Sequence, residues 1–127
     1  MILIDTSAWI DFFRGRAPFA DRVDRALEDD EAAICGPVQT ELRRGLRSKS
    51  ERARVLLHLG GCQSLAQPVS LWEEAGELGF MLGRRGITVK TLDLLIACYA
   101  LAHGAHLLTT DQDFRLMRAA GIPLQLA

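Results

Sequence analysis

Met1-Ile2-Leu3-Ile4-Asp5-Thr6-Ser7 is the stretch from which the rest of the chain can be read. Four consecutive apolar residues, closed at once by three oxygen-bearing side chains, suit a short central strand buried on both faces of a parallel sheet. The Asp-Thr-Ser that follows suits the start of a helix running through Phe13, because short polar side chains satisfy the free N–H groups of a first turn. A strand that turns directly into a helix is the opening half of a β-α-β unit.

The same alternation recurs downstream. Ala17 to Glu28 reads as a helix and Ala32-Ala33-Ile34-Cys35 as a second buried strand. Gly36-Pro37 opens a helix expected to reach about Arg47, with the proline in a first turn where its missing donor does no harm. Ser50 to Leu59 reads as a helix stopped by Gly60-Gly61, Gln63 to Leu65 as a short strand, and Leu71 to Arg85 as a long helix ending near Gly86. Thr91 to His103 is the most apolar helix. After Gly104 come a strand at His106 to Thr109, a helix at Asp111 to Ala120 and an edge strand at Pro123 to Leu126. Strands alternating with helices imply a central, mainly parallel sheet of four or five strands, sandwiched in three α/β/α layers. Ligands of such sheets bind beyond the carboxyl ends of the strands.

The 127 residues fit one domain, spanning residues 1–127, and 49% apolar with 24% charged side chains is the balance of a globular chain and not of a disordered one. No apolar stretch is long enough to cross a bilayer, and a first strand beginning at Met1 without a basic leader reads as a cytoplasmic protein. Cys35, Cys62 and Cys98 are odd in number, far apart and set among apolar residues, so they read as reduced, packed thiols with no role in a site. The formal net charge of −1 conceals a basic cluster, Arg43, Arg44, Arg47, Lys49, Arg52 and Arg54. Such a cluster meets phosphates or is a solvated helix face.

Four carboxylates stand where apolar segments should carry no charge. Asp5 closes the first strand, Asp93 interrupts Leu92-Asp93-Leu94-Leu95-Ile96, Asp111 follows the strand at His106 to Thr109, and Glu41 borders the stripe Val38, Leu42, Leu46, facing inward. Asp5, Asp93 and Asp111 are all expected at the carboxyl edge of the sheet. A buried unpaired carboxylate costs several kcal/mol. Helix amino termini return only about 0.3–1 kcal/mol each. A divalent cation is the simplest compensation, since hard cations take oxygen ligands. Singly, Asp5 or Asp111 is also an ordinary helix cap and Glu41 an ordinary surface residue; convergence on one edge is what makes them a site.

These residues carry a resemblance. Met1-Ile2-Leu3-Ile4-Asp5-Thr6-Ser7-Ala8-Trp9, Glu41-Leu42-Arg43-Arg44-Gly45, Asp93-Leu94-Leu95-Ile96-Ala97 and Leu108-Thr109-Thr110-Asp111-Gln112-Asp113-Phe114 resemble, in order and along almost the whole chain, the four signatures of PIN-domain ribonucleases of the VapC toxin type. The resemblance implies the PIN-like α/β/α fold and an endoribonuclease dependent on Mg²⁺, or alternatively Mn²⁺. It implies the toxin of a toxin–antitoxin pair, usually a homodimer, held inactive by a cognate antitoxin. It implies a catalytic set of Asp5, Glu41, Asp93 and Asp111, with the metal on Asp5, Asp93 and Asp111, and Thr6, Ser7, Thr109 and Asp113 in support. The RNA substrate would then meet Arg43, Arg44 and Arg47, with Arg84, Arg85 and Lys90 next.

Two competing functions differ in class. A Mg²⁺-binding signalling receiver has a similar length and layout, but it requires a carboxylate pair after the first strand and a lysine after the last, which Asp5-Thr6-Ser7 and Thr109-Thr110-Asp111 do not offer. A PIN-like module that binds RNA or protein without cutting fits the same layout, and the intact acidic set argues against it. His58, His103 and His106 stand apart from all four signatures, which argues against ribonuclease chemistry of the two-histidine kind.

Overall fold

The computed structural model describes residues 1–127. Five strands form one sheet: β1 (Ile2–Ile4), β2 (Ala32–Ile34), β3 (Gln63–Ser64), β4 (His106–Leu108) and β5 (Gln125–Leu126). Seven helices cover it: α1 (Thr6–Phe13), α2 (Phe19–Glu28), α3 (Gly36–Arg44), α4 (Lys49–Leu59), α5 (Leu71–Arg84), α6 (Thr91–His103) and α7 (Gln112–Ala119). The expected parallel α/β/α sandwich is borne out. Strand order is β3-β2-β1-β4-β5 with every neighbouring pair parallel. The opening strand lies at the centre, Leu3 and Ile4 wholly buried, Ile2 in register with Ala32 on one side and His106 on the other.

From β1 the chain steps through β2 to β3 in one direction, then returns through β4 to β5 in the other. Right-handed crossovers therefore place α1 to α4 on one face of the sheet and α5 to α7 on the opposite face. The reversal falls between β1 and β4, where helices leave toward opposite faces and a crevice opens past the strand ends. The core on both sides of the sheet is closed by Trp9, Phe114, Met117 and Leu82, all fully buried.

Several boundaries differ from the expected ones for local reasons. α2 starts at Phe19 and not at Ala17, since the residue preceding Pro18 is disfavoured in a helix. α3 stops at Arg44, with Gly45 as its C-cap, and so excludes Arg47. The Arg47 N–H donates to Glu51 Oε2 at 2.9 Å while Ser48 Oγ accepts from the Glu51 N–H at 3.1 Å, a reciprocal cap that starts α4 at Lys49. β4 ends at Leu108, which releases Thr109 for other contacts. α6 runs over Thr91–His103 as expected, ended by Gly104 at φ 63°, a left-handed position that glycine takes without strain. Cys35 and Cys98 are buried and Cys62 is half-buried, all three as free thiols.

Candidate active site

β1 delivers Asp5 to the carboxyl edge of the sheet at 4% exposure. Although Asp5 is the N-cap residue of α1, its carboxylate caps nothing. Instead Oδ2 accepts from Ser7 Oγ at 2.7 Å and from Thr109 Oγ1 at 2.8 Å. Each hydroxyl has one proton. With both directed at Asp5, the 3.2 Å approach of Ser7 Oγ to Thr109 Oγ1 is a contact and not a third bond. The same two oxygens accept backbone protons from Thr110 and Asp111, each at 3.0 Å. β1 and β4 are thus stitched together at the crevice, and Thr6 and Ser7 sit beside the carboxylates together with Thr109. Thr6 Oγ1 donates to Glu41 Oε1 at 2.9 Å, fixing the half-buried Glu41 carboxylate against the start of α1.

Asp93, in the first turn of α6, is 7% exposed, and its Oδ2 is buried with no hydrogen-bond partner. Its pKa is pushed up to about 7 by burial first, then by the charges of Asp111, Asp5 and Asp113. Asp111 caps α7 by accepting from the Asp113 N–H at 2.9 Å through Oδ1 alone. Asp5, Glu41, Asp93 and Asp111 line one depression of about 360 Å³, with Lys90 at its rim.

The tightest grouping is a different one. Asp93, Asp111 and Asp113 hold ligand oxygens within 4.8 Å of one another, so Asp113 stands closer to this pair than the supporting position expected of it. A hard divalent cation fits this donor set. It consists of oxygens only, it leaves a buried carboxylate oxygen unsatisfied, and burial with mutual repulsion lifts the Asp93 pKa from 3.8 to about 7. Thr109→Val should cost about 1–3 kcal/mol of stability, because it strips one donor from Asp5 and leaves the Asp111 N–H without its acceptor. Urea unfolding of the variant measures it.

A second depression of about 290 Å³ adjoins the first, sharing Thr6, Ile10 and Glu41. Its apolar floor is Ile10, Phe13, Leu42, Leu46 and Val55, and its rim carries Arg14, Arg47 and Arg54. Of the three arginines expected to meet RNA, only Arg47 lines this groove; Arg43 and Arg44 are exposed at the end of α3 and line neither depression. Of the other two rim arginines, Arg14 carries no signal in the sequence and Arg54 stands there only as one of the basic cluster. Arg54 lies over the Phe13 ring at 5.4 Å and donates to the Phe13 carbonyl at 3.2 Å, a contact across 41 residues that no local pattern announces. Of the second-rank cations, Lys90 lines the depression of the carboxylates, whereas Arg84 lies over Phe80 and Arg85 donates to the Ala120 carbonyl.

The histidines are occupied elsewhere. His58 packs edge-on against Phe12 at 5.0 Å, His103 bonds the Ala66 carbonyl at 2.7 Å, and His106 is exposed in β4. Of the three aromatic side chains of α1, Trp9 is fully buried and Phe12 and Phe13 are half-buried. No helix is long and apolar enough to cross a membrane.

A family model described as PIN domain matches residues 2–120. The relatives found include VapC ribonuclease Mb1587 of Mycobacterium bovis and Ribonuclease VapC11 of Mycobacterium tuberculosis, each 34% identical over 119 residues, covering 90% of this chain and 89% of theirs. A toxin–antitoxin complex from Klebsiella pneumoniae contains a chain 26% identical at a TM-score of 0.72, the match covering 100% of this chain and 97% of that one. VapBC2 of Rickettsia felis, bound to a DNA fragment from its promoter, gives a TM-score of 0.78 at 22% identity over 100% of this chain and 98% of its own, a likeness of fold.

Proposed function

The chain belongs to the PIN-domain family, and from that premise we propose that it is a divalent-metal-dependent endoribonuclease, the toxin of a toxin–antitoxin pair, built as one domain. The observation that carries this is Asp93. A buried carboxylate with an orphaned oxygen, surrounded by three further acids, destabilises the fold unless it serves a cation, and the relatives whose sequences match over most of their length are named ribonucleases.

The residues divide the work as their environments dictate. Asp93 and Asp111, with Asp113 and Asp5, would hold a Mg²⁺ or Mn²⁺ ion. A bound ion of that class supplies Lewis acidity, drawing charge from the scissile phosphate and easing deprotonation of an attacking water. Ser7 and Thr109 hold Asp5 in one rotamer, so the ligand oxygen is placed before the substrate arrives. Glu41, steadied by Thr6, borders both depressions and is positioned to orient water or accept its proton. Lys90 and Arg47 flank the acids and would neutralise the RNA backbone.

The groove beside Glu41 supports docking of a cognate antitoxin, its apolar floor taking an amphipathic segment. A cation carried by that segment would be drawn to the carboxylates.

The test is incubation of the purified protein with mixed cellular RNA in Mg²⁺, Mn²⁺ and EDTA. Cleavage that needs metal, and that stops when the cognate antitoxin is added, is expected. RNA bound without cutting in any metal would replace this reading with that of a non-cleaving PIN-like module. In the same binding assay Arg43→Ala with Arg44→Ala should lower the log–log salt slope by about 0.7 for each phosphate that single-stranded RNA no longer has neutralised. An unchanged slope would make these two arginines a solvated helix end.

A further inference from the structure

α7 begins beside the acids, with Asp111 at its N-cap, and buries Phe114 and Met117 against the core. Arg115 and Arg118 follow Asp111 by four and seven residues, so all three share one face of the helix. Along its axis the arginines stand about 6 Å and about 10 Å from Asp111. Both are exposed and, with Ala119, Leu126 and Ala127, they line an open depression of about 510 Å³ beside the edge strand β5.

No carboxylate answers them. The only ion pair in the chain joins Arg16 to Asp11, and no acid lines this depression. The other arginine-bearing depressions are mixed in sign. Glu41 and Glu51 share the groove of Arg14, Arg47 and Arg54, while Asp29 and Glu31 share the depression that holds Arg22 and Arg25. The helix dipole favours a cation in the last turn, which accounts for Arg118, but Arg115 lies outside that turn and gains nothing from it.

We propose that Arg115 and Arg118 bind the phosphates of single-stranded RNA on one side of the cut, so that the strand crosses the crevice from Arg47 to α7. The stepwise spacing of Asp111, Arg115 and Arg118 along one helix face suits successive phosphates of an extended strand leaving the acids. α7 lies on the sheet face opposite α1 to α4, so cations on both flanks anchor the strand on either side of the carboxylates. Binding energy from these remote phosphates then seats the scissile one over a cluster that by itself repels it. Ala119 and Leu126 offer apolar surface to the ribose or base between the two anchors. Phosphate contacts carry no sequence information, so the pair sets affinity and position and leaves the choice of RNA to other residues.

This rests on the ribonuclease reading and names a part of its substrate path, and the test reads binding apart from cleavage. The probe is a fluorescent single-stranded oligoribonucleotide of randomised sequence, titrated in Mg²⁺ against the full chain carrying Asp5→Asn to prevent cutting. Adding Arg115→Ala with Arg118→Ala should raise its Kd about tenfold and lower the log–log salt slope by about 1.4, or about 0.7 for each phosphate. Arg22→Ala with Arg25→Ala, an equal loss of charge on the α2 side, should leave both within error. In the chain with Asp5 intact, the α7 pair should slow cleavage of dilute RNA and spare it at saturation, raising KM and not kcat. Both arginines are exposed, so melting temperatures should hold. An unchanged Kd and slope would overturn the proposal and return these arginines to solvent or to an acidic protein. Equal losses from the α2 pair would overturn it too, as would a parent chain that binds no RNA. Binding that depends on the α7 pair in a protein that never cuts would keep the path and sink the ribonuclease.

Discussion

Asp5→Asn should reduce metal-dependent RNA cleavage at least about 10²-fold while leaving the fold intact. The asparagine carbonyl can occupy the Oδ2 position and keep both hydroxyl donors, Ser7 and Thr109. What changes is the other atom, an anionic oxygen replaced by an amide that repels a cation. Losing one charged ligand removes several kcal/mol of charge stabilisation, and each 1.36 kcal/mol is tenfold in rate. Glu41→Gln and Asp93→Asn should match it. Cleavage measured on one RNA under saturating Mg²⁺ ranks the three; near wild-type rates in any two would dissolve the assignment of this cluster as the active site.

The second large effect is on stability. The Asp93 carboxyl titrates near 7 in the folded chain against an ordinary value of 3.8, raised by burial and then by Asp111, Asp5 and Asp113. A folded value above the unfolded one means that the folded state binds the proton more tightly, so stability is full below about pH 4 and declines as pH rises toward 7. Asp93→Asn removes that decline. Its amide can also donate to the neighbouring carboxylates. At pH 8 in EDTA the variant should therefore be more stable than wild type by about 1–2 kcal/mol, after allowance for solvent screening in an open depression, or roughly 5 °C in melting temperature. At pH 4 the gap should close. In millimolar Mg²⁺ the order should reverse, because a cation that binds only the folded state stabilises the better binder more. A variant less stable than wild type at pH 8 in EDTA would mark Asp93 as a satisfied structural residue.

The fold was readable because its signals are local. Ile2-Leu3-Ile4 and Leu107-Leu108 are short apolar runs that end in oxygen-bearing residues, and each run became a central strand with an acid at its tip. Asp93 was conspicuous because α6 is apolar nearly all round and offers no solvent-facing arc to explain it. What stayed hidden needed distance information. The closeness of Asp113 to Asp93 depends on how α7 docks on α6, and neither segment encodes that alone. Arg54 was one more cation in a basic stretch until α4 folded back onto Phe13. In α5, Trp72 and Phe80 are as apolar as Leu71 and Leu78, so composition could not separate the outward residues from the buried ones.

The stitch between Ser7, Asp5 and Thr109 spans 102 to 104 residues of chain. Loop-closure entropy makes contacts of such separation late ones, and the contact order they contribute slows folding. During synthesis Asp5 is made well before Asp111, so a nascent chain carries its acids apart and assembles the cluster only when β4 slots in beside β1. Until then β1 has an open flank, an unpaired edge of the kind that seeks other strands. A chain cut short before β4 would thus be without its reactive centre and prone to aggregate, which ties the synthesis of β4 to the appearance of the chemistry.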